Sequence, residues 1–337
     1  MSLTDFGDLM RSGLQAGGDH TGQFVEILLS LGPEEIRGIW ARWRPQSIQQ
    51  REGMIRWAEL CVGIFSTVSD EDARTLLRCI GPIATAEELS QAWAALRGRL
   101  PRLEFFALVG RPCRPIAIDW RMVPEGMFWM GAPGRTSDSW ETPRHPVSLA
   151  SFEIAATPIT RGQRAMFWKT PRLRPEEAEL PVGSVSWCEA WLLCEWLGAA
   201  LPTEAQWERA CRAGTMTRWS NGDLEASLRE VGWFVQNARE KPHLVGLLRP
   251  NGFGIYDMHG NVMEWCADSQ RVYSGGLMES PGQDMVGDGR VRRDALFRTV
   301  RGGYYNSPPS HCRSAHRAVL DVFSRFDGLG VRPVRSQ

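Results

Sequence analysis

Asn251-Gly-Phe-Gly-Ile-Tyr-Asp-Met-His-Gly-Asn-Val-Met-Glu-Trp265 is the stretch on which the reading of the fold turns. Glycine, aromatic and polar residues follow one another here without the periodicity of a helix. The same texture begins near Pro101, beyond which glycine, proline and tryptophan are frequent. Short strands joined by long irregular loops are expected, and such loops stay ordered only with internal polar contacts or bound cations. Two short helices are still well signalled. Ser186 with Glu189 predicts a capping box before a helix whose Trp187, Ala190, Trp191, Cys194 and Leu197 share one face. Thr203 with Gln206 opens a second, carrying Trp207, Ala210 and Cys211, with Gly214 as its stop.

Residues 1–108 read differently. Pro33 suits a first helical turn, and Ile36, Ile39, Trp40 and Trp43 follow at helical spacing. Ser69 and Asp72 predict an N-cap before Leu76, Leu77 and Ile80, which Gly81-Pro82 terminates. Thr85 and Glu88 predict a capping box, with Leu89, Trp93, Leu96 and Leu100 on one face behind it. Five or six short helices of this kind make a small all-α bundle. It carries no acid, metal or nucleophile constellation, and is read as an adaptor that contacts a second protein partner. The expected division is a helical domain over 1–108 and an α+β domain over 109–337.

Composition narrows the function classes. The 337 residues are 43% hydrophobic and 23% charged, with a formal net charge of zero. No run of Lys or Arg supplies the clustered cations a nucleic-acid binder needs. No apolar stretch approaches the ~20 residues that span a bilayer, and the start, MSLTDFGDLM, has neither a basic opening nor an apolar signal core. The expectation is a cytoplasmic protein without nucleic-acid or membrane partners. Cys61, Cys79, Cys113, Cys188, Cys194, Cys211, Cys266 and Cys312 are evenly spread, unlike a disulfide scaffold or zinc ribbon, and are expected to be mostly small buried hydrophobes.

Several motifs, in order, are similar to those of the formylglycine-generating enzyme (sulfatase-modifying factor) family. They are Met122-Val-Pro-Glu-Gly-Met-Phe-Trp-Met-Gly131, Glu141-Thr-Pro-Arg-His-Pro146, Pro181-Val-Gly-Ser-Val-Ser-Trp187 and Leu201-Pro-Thr-Glu-Ala-Gln-Trp-Glu208. The stretch quoted first, Val300-Arg-Gly-Gly-Tyr304 and Leu329-Gly-Val-Arg332 complete the set. The resemblance implies a C-type-lectin-like α+β fold with little regular secondary structure. It also implies structural calcium, for which Asn261 and Glu264 would supply side-chain oxygens and Val262 a carbonyl; a second, weaker site falls near Asn237. The alternative is that Asn261 and Glu264 only cap loop backbone.

Family enzymes oxidise a substrate cysteine with copper held by two cysteines shortly after the Arg-Gly-Gly strand. With Arg301-Gly-Gly303 aligned, those positions are Ser307 and Cys312. Copper(I) favours two thiolates, and a neutral hydroxyl does not replace one. No copper and no oxidase activity are therefore expected. A cluster of His311, Cys312 and His316 is the lesser alternative. So is a sulfoxide-synthase-type, metal-dependent oxidoreductase, although the N-terminal region has one histidine, His20.

The C-terminal segment is the candidate binding surface. Tyr304, Tyr305, Asn306, Ser307, His311, His316, Ala318, Val319, Leu320, Val322, Phe323, Phe326 and Asp327 mix apolar, aromatic and polar side chains where recognition patches are built. The pattern resembles the variable proteins of diversity-generating retroelements, in which adenines of template codons are mutagenised within a fixed framework. Arg301, Gly302, Gly303, Arg313, Ser314, Ala315, Arg317 and Gly330 match the framework, while Val331 departs from the usual Gly-Phe-Arg ending. A protein ligand on a variable surface is the first reading. A fixed partner surface, and an ordinary core strand or helix through Val319, Leu320, Val322 and Phe323, are the alternatives. A pseudoenzyme holding a peptide in the family cleft is a further one.

Overall fold

The structure, a computed structural model, describes residues 21–44, 51–113, 116–134, 139–168, 173–273, 278–279 and 288–336. The chain forms two compact units, Met1–Arg114 with Asp288–Asp294, and Pro115–Gly287 with Ala295–Gln337. A boundary at 108 does not anticipate that Asp288–Asp294 joins the first unit. His20 lies outside the described residues.

The first unit contains α1 (Thr21–Ser30), α2 (Pro33–Trp43), α3 (Arg51–Thr67), α4 (Asp70–Ile80), α5 (Ala86–Leu96) and α6 (Arg102–Leu108). The local signals act as chemistry requires. Ser69 Oγ accepts the Asp72 amide at 3.2 Å. Thr85 Oγ1 accepts the Glu88 amide at 3.3 Å while Glu88 Oε2 accepts the Thr85 amide at 2.7 Å. The expected apolar faces, including Ile36, Ile39, Trp40, Leu76, Leu77, Ile80, Leu89, Trp93 and Leu96, are buried. Trp43 is only half-buried. Glu88 is itself buried, and its other oxygen accepts Trp57 Nε1 at 2.8 Å beside Arg44. Burial raises the Glu88 pKa, which the Arg44 charge opposes.

In the second unit, β1 (Trp120–Val123) and β12 (Val334–Ser336) flank β4 (Phe152–Ala155) in one antiparallel sheet, so that the start of the unit pairs beside its end. A second sheet runs β10 (Arg317–Asp321), β9 (Phe297–Arg301), β7 (Met263–Ser269), β11 (Leu329–Gly330), with β10 on one edge. A third holds β2 (Gly126–Met130), β3 (His145–Leu149) and β8 (Met278–Glu279), and β5 (Gly232–Trp233) pairs with β6 (His259–Gly260). The helices α7 (Arg161–Trp168), α8 (Trp187–Leu197), α9 (Glu204–Arg212) and α10 (Glu225–Leu228) complete the unit. This is the expected α+β, C-type-lectin-like arrangement with a helical bundle before it. No described helix is long and apolar enough to cross a membrane.

Both predicted helices form, with differences. Ser186 caps α8, but the Glu189 carboxylate does not close the box; it accepts Arg164 Nε and Trp168 Nε1, each at 2.6 Å, and pairs with Arg325. Leu192, Leu193 and Trp196 are buried too, so α8 is enclosed on more than one face. Thr203 and Gln206 make the box of α9, whose turn is ended by Ala213 at φ 46° before Gly214.

Internal polar contacts order the 251–265 stretch. Asn251 Oδ1 accepts the amides of Phe253 (3.0 Å) and Ile255 (3.2 Å) while Nδ2 donates to Ala210 O (2.7 Å). Glu264 accepts Trp207 Nε1 at 2.6 Å and two nitrogens of Arg332 at 2.8–3.0 Å, all buried. Breaking a buried pair leaves one charge uncompensated, so Arg332→Met should lower the unfolding free energy by about 3–5 kcal/mol. Urea denaturation followed by tryptophan fluorescence measures it; a loss below about 1 kcal/mol, typical of an exposed pair, would show that the link does not hold the fold.

Candidate functional site

Four arginines fix the C-terminal segment. Arg301, at the end of β9, reaches Glu208 and lies 3.5 Å from Glu204, with Nη1 donating to Ala315 O at 2.9 Å. Arg317, opening β10, donates to Glu204 at 2.7 Å. Arg313 grips Glu141 through both terminal nitrogens at 2.6 and 2.7 Å, and Arg332 holds Glu264. Glu204 and Glu208 sit one turn apart on α9, so one helix face receives two of these arginines. Burial pushes the Glu208 carboxyl up, but Arg212 and Arg301 outweigh it and hold it below its ordinary value. Burial likewise opposes the Arg301 charge, and Glu208 and Glu204 reverse that, raising its pKa.

Between these anchors the chain turns sharply. Gly303 has φ +69°, and a Cβ there would stand 2.8 Å from Cys312 Sγ. Ser307 Oγ accepts the Tyr304 amide at 3.0 Å and the Ser307 amide donates to Tyr304 O at 2.8 Å, closing a tight turn. The Tyr305 amide donates to Asn261 O at 3.0 Å. Tyr304 makes edge contacts with Tyr305 (centroids 5.2 Å) and Phe326 (5.6 Å). A side chain at Gly328 would run into the Tyr304 ring.

The structure sorts the thirteen expected surface residues into two classes. Tyr304, Tyr305, Ala318, Val319, Leu320 and Phe326 are half-buried, and Asn306, His311 and Asp327 are exposed. Ser307, His316, Val322 and Phe323 are buried, which corrects their assignment to the surface. Val322 is drawn inward by backbone bonds, its amide donating to Leu296 O (2.9 Å) and its carbonyl accepting the Trp187 amide (3.1 Å). His316 stacks on His311 at 4.5 Å; burial lowers its pKa to about 3, and His311 adds to the shift.

Nor do the nine accessible residues share one feature. Tyr304, Tyr305, Phe326 and Asp327 gather beside a depression of about 270 Å³ lined by Arg161, Arg164, Leu173, Val182, Ser184 and Asp327. Ala318, Val319 and Leu320 lie on the edge strand β10. His311 lines a larger cleft of about 620 Å³ with Arg212, Arg218, Trp219, Asp223 and Arg313. Arg161 and Arg164 lie more than a hundred residues upstream of the C-terminal segment and carry no local signal in the sequence, and Ser184 sits in the Pro181–Trp187 motif without pointing to this surface. Ser184 alone is marked, by φ 55° and an Oγ bond to Asp327 Oδ1 at 3.0 Å.

The expected cation ligands are already engaged. Asn261 exchanges both side-chain bonds with His243, Oδ1 accepting its amide and Nδ2 donating to its carbonyl, each at 3.0 Å. Glu264 faces the Arg332 guanidinium, Val262 is buried, and Asn237 Oδ1 accepts the Phe234 amide at 2.8 Å. Asn261, Glu264 and Asn237 are thus engaged in protein contacts in this structure, the arrangement expected if they order loop backbone. Ser307 and Cys312 offer one thiol where a two-thiolate copper(I) site needs two. Ser307 Oγ closes a turn, and Cys312 is a buried thiol whose pKa burial pushes up to about 12. His259 Nδ1 donates to Cys312 O at 2.8 Å, leaving Nε2 to accept the Ser220 amide at 3.0 Å, so this ring is structural. Among the described residues no group of three His, Cys, Asp or Glu is placed to hold a metal.

The sulfatase-modifying factor enzyme 1-like domain profile matches residues 106–337. Formylglycine-generating enzyme of Streptomyces coelicolor is 30% identical over 281 residues, covering 62% of this chain and 87% of that protein. Inactive C-alpha-formylglycine-generating enzyme 2 of Mus musculus is 34% identical over 182 residues, covering 49% of this chain and about half, 54%, of its own length. Among solved structures, Treponema denticola variable protein 1 superposes with a TM-score of 0.57 at 22% identity, over 66% of this chain and 97% of that one, a likeness of fold.

Thiol chemistry gives a direct check. No disulfide joins the eight cysteines; seven are buried, and Cys113 is half-buried. A thiol reagent should modify Cys113 alone in the folded chain and all eight in denaturant; mass-spectrometric detection of modified Cys312 in the folded protein would show an open, reactive site there.

Proposed function

The chain belongs to the sulfatase-modifying factor family, and from that premise we propose that it is a non-enzymatic binding protein whose C-terminal surface grips a protein ligand. The observation that carries this reading is Ser307. Where the family's chemistry needs a second sulfur, a hydroxyl closes the turn that presents Tyr304 and Tyr305. The remaining thiol, Cys312, is buried and held protonated at neutral pH. A relative whose name declares it inactive supports a family that keeps the fold without the activity.

Recognition centres on Tyr304, Tyr305, Asn306, Phe326 and Asp327, with Ala318, Val319 and Leu320 on the β10 edge. Tyrosines and phenylalanine bury large area at small entropic cost, as binding hot spots do. Fixed arginines and replaceable side chains alternate along the segment, which suits diversification by a retroelement. The fold shared with a protein named as variable is consistent with it. Ser307, His316, Val322 and Phe323 belong to the fixed set, because exchanging them would disturb the core. The helical unit contributes a second protein contact.

Similarity to a formylglycine-generating enzyme across most of that protein's length favours a second reading, a metal-dependent oxidase. Copper titration with a cysteine peptide separates the two. Stoichiometric copper and oxygen uptake, both lost in Cys312→Ala, would overturn the binding reading.

The binding reading is tested with peptides selected from a random phage library on the wild-type chain. Tyr304→Ala or Phe326→Ala should weaken a selected peptide by about 30-fold, the loss of a ~2 kcal/mol hot spot, with stability changed by no more than about 1 kcal/mol. Phe323→Ala should instead cost about 3–5 kcal/mol of stability, as a core truncation does. Peptides indifferent to both surface substitutions would place recognition elsewhere.

A further inference from the structure

Within the helical unit, residues 288–294 are seated on the helices as a bound peptide would be. Gln91 on α5 is fully buried, and both ends of its amide are spent on this segment's backbone. Oε1 accepts the Val291 amide at 2.9 Å, and Nε2 donates to Gly289 O at 3.0 Å as well as to Ser90 Oγ at 2.9 Å. Val291 is 3% exposed. Two residues on, Arg293 spans two carboxylates of α3, donating to Glu52 at 2.9 and 3.1 Å and to Glu59 at 3.0 and 3.2 Å. Glu52 and Glu59 are seven residues apart and share a helix face. Gly289, at φ +84°, lets the chain turn so that its carbonyl and the Val291 amide both face Gln91.

A glutamine buried on a helix is costly unless both ends of its amide find partners. Here backbone some two hundred residues away supplies one donor and one acceptor, with no demand on side-chain identity. Selectivity comes from the flanking pieces: a small residue able to take positive φ, a buried branched side chain, and a cation opposite two glutamates. Backbone hydrogen bonds for affinity with side-chain contacts for choice is how extended peptides are read.

We propose that the helical unit is a peptide receptor for segments of the form Gly-x-Val-x-Arg, that 288–294 occupies it in cis, and that a partner protein carrying such an extended segment docks by displacing it. The inference stands on a different unit and different residues from the ligand-binding reading of the C-terminal surface and does not need it.

The test uses the full chain and a labelled synthetic peptide, Asp-Gly-Arg-Val-Arg-Arg-Asp, with affinity read by fluorescence anisotropy. Val291→Asp with Arg293→Glu empties the receptor and leaves Gln91, Glu52 and Glu59 intact. A tethered segment competes at an effective concentration on the order of 1 mM, so the emptied chain should bind the peptide at least about tenfold more tightly than wild type. Adding Gln91→Ala should reverse that gain. Equal affinity for the emptied and wild-type chains, or no binding to an emptied chain that keeps its helical circular dichroism, would reduce the segment to a structural strap. Should the double variant lose its helices, Arg293→Glu alone, which removes only exposed ion pairs, is compared with wild type in its place. Tighter peptide binding by that variant supports the receptor, and unchanged or absent binding leaves only the strap.

Discussion

Buried arginine–glutamate links are the constraint on which the second unit depends. A guanidinium removed from water is tolerated only when a carboxylate and further acceptors meet its nitrogens. Arg332 satisfies that condition through Glu264, and the terminal nitrogens of Arg301, Arg317 and Arg313 meet it through Glu208, Glu204 and Glu141, while Nε of Arg301 and of Arg317 finds no partner among the described residues. Each link admits one geometry, because planar donors facing carboxylate oxygens have little freedom. Strands as short as β11 and β12 could not by themselves fix so much irregular chain. The charged pairs do it, with α9 receiving Arg301 and Arg317 through Glu208 and Glu204.

Pinned at these points, the segment after β9 divides into inward and outward side chains. Ser307, Cys312, His316, Val322 and Phe323 turn inward and complete the packing, whereas Tyr304, Tyr305, Asn306, Phe326 and Asp327 face outward. Among the described residues, the hydrogen bond between these outward side chains and the frame is the Ser184–Asp327 contact. In the proposed binding role, exchanging them would alter the ligand while leaving the arginine links in place. That separation is the physical requirement for a surface that varies without unfolding.

Local chemistry is legible in the sequence and distant chemistry is not. The boxes at Thr85–Glu88 and Thr203–Gln206 can be read because both partners lie within one turn. Glu189 misleads, since Arg164, Trp168 and Arg325 compete for its carboxylate from positions no spacing rule reaches. Val322 and Phe323 read as surface because a short apolar run in an irregular loop has no period to tell its inner from its outer face. The same gap hides the engagement of Asn261 with His243, and of Gln91 with backbone across most of the chain length. The order of motifs is enough for the fold class, because most of them place a frame residue such as Glu141, Glu208, Glu264, Arg301 or Arg332.

The exchange of sulfur for oxygen at position 307 bears on stability and function together. A thiol is a weak hydrogen-bond partner, and a serine hydroxyl is a good one. At 307 the hydroxyl accepts the Tyr304 amide directly beneath the aromatic pair. The Ser307 hydroxyl thereby stiffens the turn bearing Tyr304 and Tyr305. Rigid presentation lowers the entropy lost when a partner is bound. In the proposed binding role, Ser307 therefore serves the turn that presents Tyr304 and Tyr305, and the remote arginine links hold the rest of the frame independently of it.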